Sequence, residues 1–214
     1  IGSITINGET IELVIDPAPD LAVLEAALTH LLHRQKTVLS FAGRNGPVQI
    51  EYTPKPALIL AGRGAILRTT AQLAAHMDFE LHLASPDLED LACLEELNPT
   101  TRQSMTSPSA AIDLAIDAYS AVLLVFHDHE WEQAILMQVT QNKPFFIGAL
   151  GSRKTHAMRV ERLKQAGLSE TQCAQIQGPI GLVPSLRNAS LIAVSALAEI
   201  TAKLPPFQVR LPSS

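Results

Sequence analysis

No stretch constrains this chain more than Ala121-Val122-Leu123-Leu124-Val125-Phe126, an unbroken run of six apolar residues. Such a run leaves no face for water, so it reads as a strand covered on both sides, as in a parallel sheet. Ala57-Leu58-Ile59-Leu60-Ala61 repeats the signal. Phe79-Glu80-Leu81-His82-Leu83 is a further strand, Gln103 to Thr106 is a weak third, and Pro144-Phe145-Phe146-Ile147-Gly148 reads as the last. Helical patterns lie between them. One turns Ile66, Leu73, Ala74 and Met77 inward, one runs over Ala110, Leu114 and Ala115 after Ser107-Pro108, and one spans 130–141. Ser85-Pro86-Asp87 reads as a helix N-cap, an N1 proline and a first-turn acid. Three more helices are expected over 152–166, 169–176 and 189–203, with Ser169 and Gln172 spaced as a capping box. Strands alternating with helices wind a parallel sheet with helices on both faces, so 56–204 is expected to be an α/β, doubly wound domain.

Tyr52-Thr53-Pro54-Lys55-Pro56 breaks the pattern, because two prolines one residue apart exclude a helix or a central strand. Residues 1–53 read as a small α+β unit. Thr10 to Ile15 is a strand ended by Asp16-Pro17, and Leu21, Leu24, Leu28, Leu31 and Leu32 form one face of a helix. Thr37–Phe41 and Val48–Tyr52 flank Arg44-Asn45-Gly46-Pro47 as a hairpin. A unit this thin needs support from elsewhere, and a homodimer is expected. The tail, 205–214, reads as irregular.

Charge and composition exclude several classes. With 47% hydrophobic, 17% charged and only 4% aromatic residues, and a net charge of −5, the chain lacks the basic, aromatic-rich surface of a nucleic-acid binder. No apolar run nears the roughly 20 residues that cross a bilayer, and no leader pattern opens the sequence. A cytoplasmic protein is expected. Two cysteines, Cys93 and Cys173, are too few for a zinc site or a disulfide scaffold; both sit in helical apolar patterns and are expected to be buried.

Three loops carry chemistry. Gly62-Arg63-Gly64 follows a strand and opens a helix, where free N–H groups favour phosphate, although Leu67 takes the third glycine position of a dinucleotide fingerprint. Ser85 and Asp87 stand near the position of the ribose acid of that fingerprint, or serve only the helix cap. His127-Asp128-His129-Glu130 closes the strongest strand, bordering the crevice of a doubly wound sheet. It is read as polar ligand contacts, with two histidines too few for a metal site, or as a solvated cap. Gly148-Ala149-Leu150-Gly151-Ser152-Arg153-Lys154-Thr155 is a second glycine-rich strand-to-helix turn with cationic donors. No residue demands catalysis.

His127–Glu130, Ile147–Thr155, Glu161-Arg162-Leu163, Gly167-Leu168-Ser169-Glu170, Gly178-Pro179-Ile180-Gly181-Leu182 and Leu197-Ala198-Glu199-Ile200 together resemble the C-terminal Rossmann-like domain of the XdhC/CoxI family, in the family's order and spacing. Thr10 to Pro17 resembles the end of that family's N-terminal domain, whose Gly-Gly-Cys segment is absent here. The family usually has Gly-Ala-Gly-His where Gly62-Arg63-Gly64-Ala65 stands, and Asp where Val183 stands. The resemblance implies a maturation factor for xanthine dehydrogenase and related molybdenum hydroxylases. Such a factor binds the molybdenum cofactor (molybdopterin), guards it while a terminal sulfur is installed, and delivers it to the apo-enzyme. The partners implied are that apo-hydroxylase and a cysteine desulfurase. In this reading Gly62, Arg63 and Gly64 cradle phosphate, Ser85 joins the ligand site, and His127, Asp128 and His129 meet polar ligand groups. Ser152 and Arg153 add an anion contact, while Gly148 and Gly151 keep the approach open. An NAD(P)-dependent oxidoreductase and a scaffold that binds only a protein partner stand as alternatives.

Overall fold

The computed structural model describes residues 2–6, 9–13, 18–42, 46–109, 111–113, 115–205 and 208–210. The chain divides into two compact units, Ile1–Pro54 with Pro206–Ser214, and Lys55–Pro205.

In the first unit β1 (Gly2–Ile6) and β2 (Glu9–Leu13) form an antiparallel ribbon, a pairing the sequence pattern did not suggest. Val14 to Pro17, read as the strand's end and stop, lies outside the described residues. Helix α1 (Leu21–Leu32) starts where Asp20 accepts the Ala22 N–H at 2.9 Å. Strands β3 (Thr37–Phe41) and β4 (Val48–Tyr52) pair antiparallel as expected; Arg44 and Asn45 of their turn are outside the described residues.

The second unit is built on β5 (Ala57–Gly62), α2 (Gly64–Ala74), β6 (Glu80–Ser85), α3 (Leu88–Cys93), β7 (Thr101–Ser104), β8 (Ser120–Val125), α4 (Glu132–Asn142), β9 (Phe146–Ala149), α5 (Arg153–Gln165), α6 (Glu170–Cys173), β10 (Ile176–Gln177) and α7 (Ala189–Thr201). Its strands lie in the order β10-β9-β8-β5-β6-β7, every pairing parallel. Within the unit this is the 3-2-1-4-5-6 arrangement of doubly wound dinucleotide-binding sheets, with the reversal between β5 and β8. β5 and β8 are buried along their whole length, which is why neither alternates. Leu58 and Leu60 face one layer with Leu67, Ala71 and Ile200; Ile59 and Ala61 face the other with Leu136, Val139 and Leu163. The fold is Rossmann-like α/β.

Several local expectations are corrected. The last strand of this sheet is β10, not β9: the helix expected over 169–176 stops at Cys173, and Ile176, 3% exposed, is drawn to the sheet edge beside Ile147. The helix expected after Ser107-Pro108 is absent among the described residues, with Ala110 and Leu114 outside them. Two glutamines replace its ladder. Gln138 bonds both the N–H and the C=O of Ile112 at 2.9 and 2.7 Å, and Gln103 does the same for Asp113 N–H and Ala111 C=O. The tail is not irregular throughout, since β11 (Gln208–Arg210) pairs antiparallel with β4. Cys173 is buried as expected, whereas Cys93 is exposed.

Candidate functional site

Residues Gly62 and Val125 are register partners at the ends of β5 and β8, so the two loops that follow leave the sheet side by side. The close approach explains Gly62: a Cβ there would sit 2.8 Å from the Val125 carbonyl oxygen. Arg63 is the extended N-cap of α2 and gives the helix no side-chain bond. Gly64 adopts φ +77°, a conformation only glycine takes without cost. The turn therefore has the shape of a phosphate loop, yet its Gly64 amide and its arginine are engaged. The Gly64 N–H donates to Asp90 Oδ2 at 2.5 Å, and the other Asp90 oxygen accepts from Arg68. Asp90 is on α3 and wholly buried. The Arg63 guanidinium reaches across the crevice to Asp128 in the loop after β8. Two residues expected to meet a ligand thus meet each other. Leu67, in the third glycine position, is fully buried in the core.

Ser85 is corrected on one count. It ends β6 fully buried, its Oγ accepts the Asp87 N–H at 3.1 Å, and the cap of α3 is Asp87, whose carboxylate accepts from Glu89 and Asp90 N–H groups. The strand runs two residues further than its apolar pattern suggests, which moves the cap with it.

After β8, His127 and Asp128 are exposed and His129 is partly covered. Beneath them lies a pair that sequence reasoning missed. Glu132, 1% exposed, takes a forked bond from Arg159 of α5, Nε at 2.8 Å and Nη2 at 3.0 Å, and meets His129 Nδ1 at 3.3 Å. Arg159 Nη2 also donates to the Leu150 carbonyl at 2.6 Å. One buried guanidinium therefore ties the first residue of α4 to the β9–α5 loop. A carboxylate and a guanidinium 27 positions apart carry no local signal. His156, one turn before Arg159, is held below the usual histidine range, first by burial and then by the Arg159 charge, with Glu132 opposing.

The third loop splits in role. Gly148 is buried, and a Cβ there would meet Phe146 and Ile180 at 2.5 and 2.9 Å, so this glycine serves packing. Gly151 leaves room for Thr155 and Arg159. Ser152 caps α5 by accepting the Thr155 N–H at 3.1 Å. Leu150, Gly151, Ser152 and Arg153 form one wall of a cavity of about 930 Å³, and Pro179 to Arg187 with Ile192 and Ser195 form the rest. Gly62 to Gly64 and His127 to His129 do not line it. The structure thus places Gly62 to Gly64 and His127 to His129 in the crevice after β5 and β8, and Gly151, Ser152 and Arg153 at the cavity after β9, while Ser85 and Gly148 are buried and line neither. Among the described residues no group of three or more His, Cys, Asp or Glu side chains is placed to hold a metal ion, and no helix is long and apolar enough to cross a membrane.

Comparison with known proteins bears on residues of this unit. Residues 58–200 match the model of the XdhC Rossmann domain. The chain is 32% identical over 152 residues to the molybdenum cofactor insertion chaperone PaoD of Escherichia coli strain K12, covering 71% of this chain and 41% of that protein. It is 28% identical over 148 residues to YqeB of the same organism, covering 68% of this chain and 27% of that one. The chain therefore spans less than half the length of these relatives. Among solved structures, one described as a xanthine dehydrogenase from Bacillus halodurans superposes with TM-score 0.58 at 22% identity, over 72% of this chain and 44% of that one. At that identity the likeness concerns the fold.

Proposed function

This chain belongs to the XdhC Rossmann-domain family, and on that premise we propose that it serves the maturation of a molybdenum hydroxylase of the xanthine dehydrogenase type, with the molybdenum cofactor as its cargo. The observation that carries the reading is that the matched stretch, 58–200, lies within the unit whose sheet has both the crevice and the cavity at the carboxyl ends of its strands. The relative named an insertion chaperone supports the choice of cargo. A pterin bearing a phosphate needs a concave site of roughly 300–1,000 Å³ with a few polar groups on apolar walls. The cavity of about 930 Å³, lined by Pro179, Ile180 and Leu182 with serine hydroxyls and two arginines, fits that requirement.

In this reading the protein performs no bond-breaking step. It holds the cargo out of water, orients it, and releases it to an apo-hydroxylase. A cysteine desulfurase would supply the terminal sulfur while the cargo is held. His127, Asp128 and His129 stand at the crevice mouth as polar contacts for the rest of the ligand. The nicotinamide-dependent alternative gains nothing at the start of α2, where Asp90 already holds the amide a pyrophosphate would need.

The test is co-purification. Protein isolated from cells that make the cofactor should release a pterin that becomes fluorescent on acid oxidation, at near one equivalent. It should also raise the activity of an apo-hydroxylase supplied with it. Protein that carries no pterin and does not associate with any apo-hydroxylase refutes the proposal.

A further inference from the structure

We infer that the phosphate of the cargo is seated by Arg153 and Arg187 in the cavity after β9, and not by the glycine loop after β5. The identity of the cargo rests on the function proposed above; the anion seat rests on the charges themselves.

At the β5 loop each cation near the turn already has its counter-ion. Arg68 and the Gly64 amide share Asp90, and Arg63 is paired with Asp128. An anion arriving there must evict or face a wholly buried carboxylate. Like charges brought to one seat repel strongly where water is scarce. The cavity carries the larger positive charge. Its lining includes the two arginines and no aspartate or glutamate, and the one carboxylate bonded to that lining, Glu199, accepts the Gly181 N–H at 2.5 Å without pairing either arginine. Among the described residues neither Arg153 nor Arg187 has an ion-pair partner, whereas Arg63, Arg68, Arg102 and Arg159 each do. Two unpaired guanidinium groups on one concavity raise its potential although the chain carries a net charge of −5.

A hydroxyl completes the seat. Ser195 is 6% exposed and lines the cavity, and its Oγ accepts the Val183 N–H at 2.8 Å. Among the described residues its Oγ accepts this bond and donates none, so its proton can turn to a ligand oxygen. Planar guanidinium groups bind phosphate oxygens as forks, which gives direction as well as charge. The ligand class is a phosphate monoester whose organic body lies on the apolar wall of Pro179, Ile180, Leu182 and Ile192.

Phenyl phosphate, a monoester with a flat apolar body, is the probe, with inorganic phosphate beside it. Calorimetric titration of the full chain should show saturable binding, tighter for phenyl phosphate. Arg153→Gln and Arg187→Gln should each weaken it roughly ten-fold or more, and the double variant should abolish it. Both arginines are exposed, so melting temperatures should hold and report intact folding. Lys164→Gln, which removes equal charge from the far end of α5, should leave affinity unchanged. Undiminished affinity in the double variant overturns the inference, as does loss of binding in Arg63→Gln alone. Pterin retained in full by the double variant also overturns the seat while leaving the cargo assignment standing. Phenyl phosphate bound as expected by a protein that never carries pterin supports the seat and refutes the cargo.

Discussion

Replacing Arg159 by methionine puts the hidden clasp of the site to a quantitative test. The substitution keeps most of the side-chain volume and removes the cation. It leaves Glu132, 1% exposed, with only His129 Nδ1 at 3.3 Å, and it strips the Leu150 carbonyl of its donor. Breaking one partner out of a buried ion pair costs about 3–5 kcal/mol, because the remaining charge stays out of water. At roughly 2–4 °C per kcal/mol for a chain of this size, the melting temperature should fall by about 6–20 °C. Glu132→Gln should cost a similar amount, since Arg159 is itself 4% exposed. The pair Glu132→Leu with Arg159→Met removes both charges and should recover most of the loss, as apolar replacement of a buried pair is often neutral. Scanning calorimetry on the four proteins closes the cycle. Hydrogen exchange should also quicken at Gly151 to Thr155 in Arg159→Met, where the clasp holds the loop. Singles within about 1 kcal/mol of the parent, or a double variant whose cost is the sum of the singles, would refute the reasoning.

Three further outcomes are expected. Gly62→Ala should destabilise by about 1–3 kcal/mol in urea unfolding, because its Cβ would press on the Val125 backbone, which cannot rotate away. Gln138→Leu should cost about 1–3 kcal/mol by stranding the Ile112 N–H and C=O beside a side chain 1% exposed, and a cost near zero would show the clasp to be idle. For His156 the folded ring resists protonation below 6.5, so the unfolded chain binds the extra proton; its contribution is present above 6.5 and is lost as pH falls from 6.5 through the lower folded value. His156→Gln should flatten the part of the stability profile that falls below pH 6.5, and parallel profiles would dismiss it.

What the sequence made legible follows from range. Apolar runs such as Ala121 to Phe126 announce doubly covered strands because their neighbours are helices on either side, whatever those helices are. The turn at Gly62 and Gly64 is equally local, since both positions answer to backbone geometry within a few residues. Its chemistry is not. Asp90, which fills the turn, stands 26 positions away, and the Gln103 and Gln138 amides that undo the Ser107-Pro108 helix act from 8 to 26 positions away. Ser107-Pro108 is a sound helix start by local rules, and its Oγ does accept the Ser109 N–H. The distant amides win because they satisfy the same backbone groups while Ile112 and Ile116 drop into the core. β10 escaped notice for a related reason, since two residues acquire strand character only from β9 beside them. Arg187 likewise carries no motif and gains meaning only from the cavity it borders.

The return of β11 to β4 sets the order in which the chain can be completed. Lys55–Pro205 is threaded into the first unit as an insertion, entering after β4 and leaving before β11. On a ribosome the inserted sheet can therefore finish while its host still waits for an edge strand that has not been made. The first unit begins first and closes last. A nascent chain halted before Gln208 would hold a finished Rossmann sheet and, in the other unit, a β4 whose outer backbone donors and acceptors are unpaired, a state that proteases and chaperones can recognise.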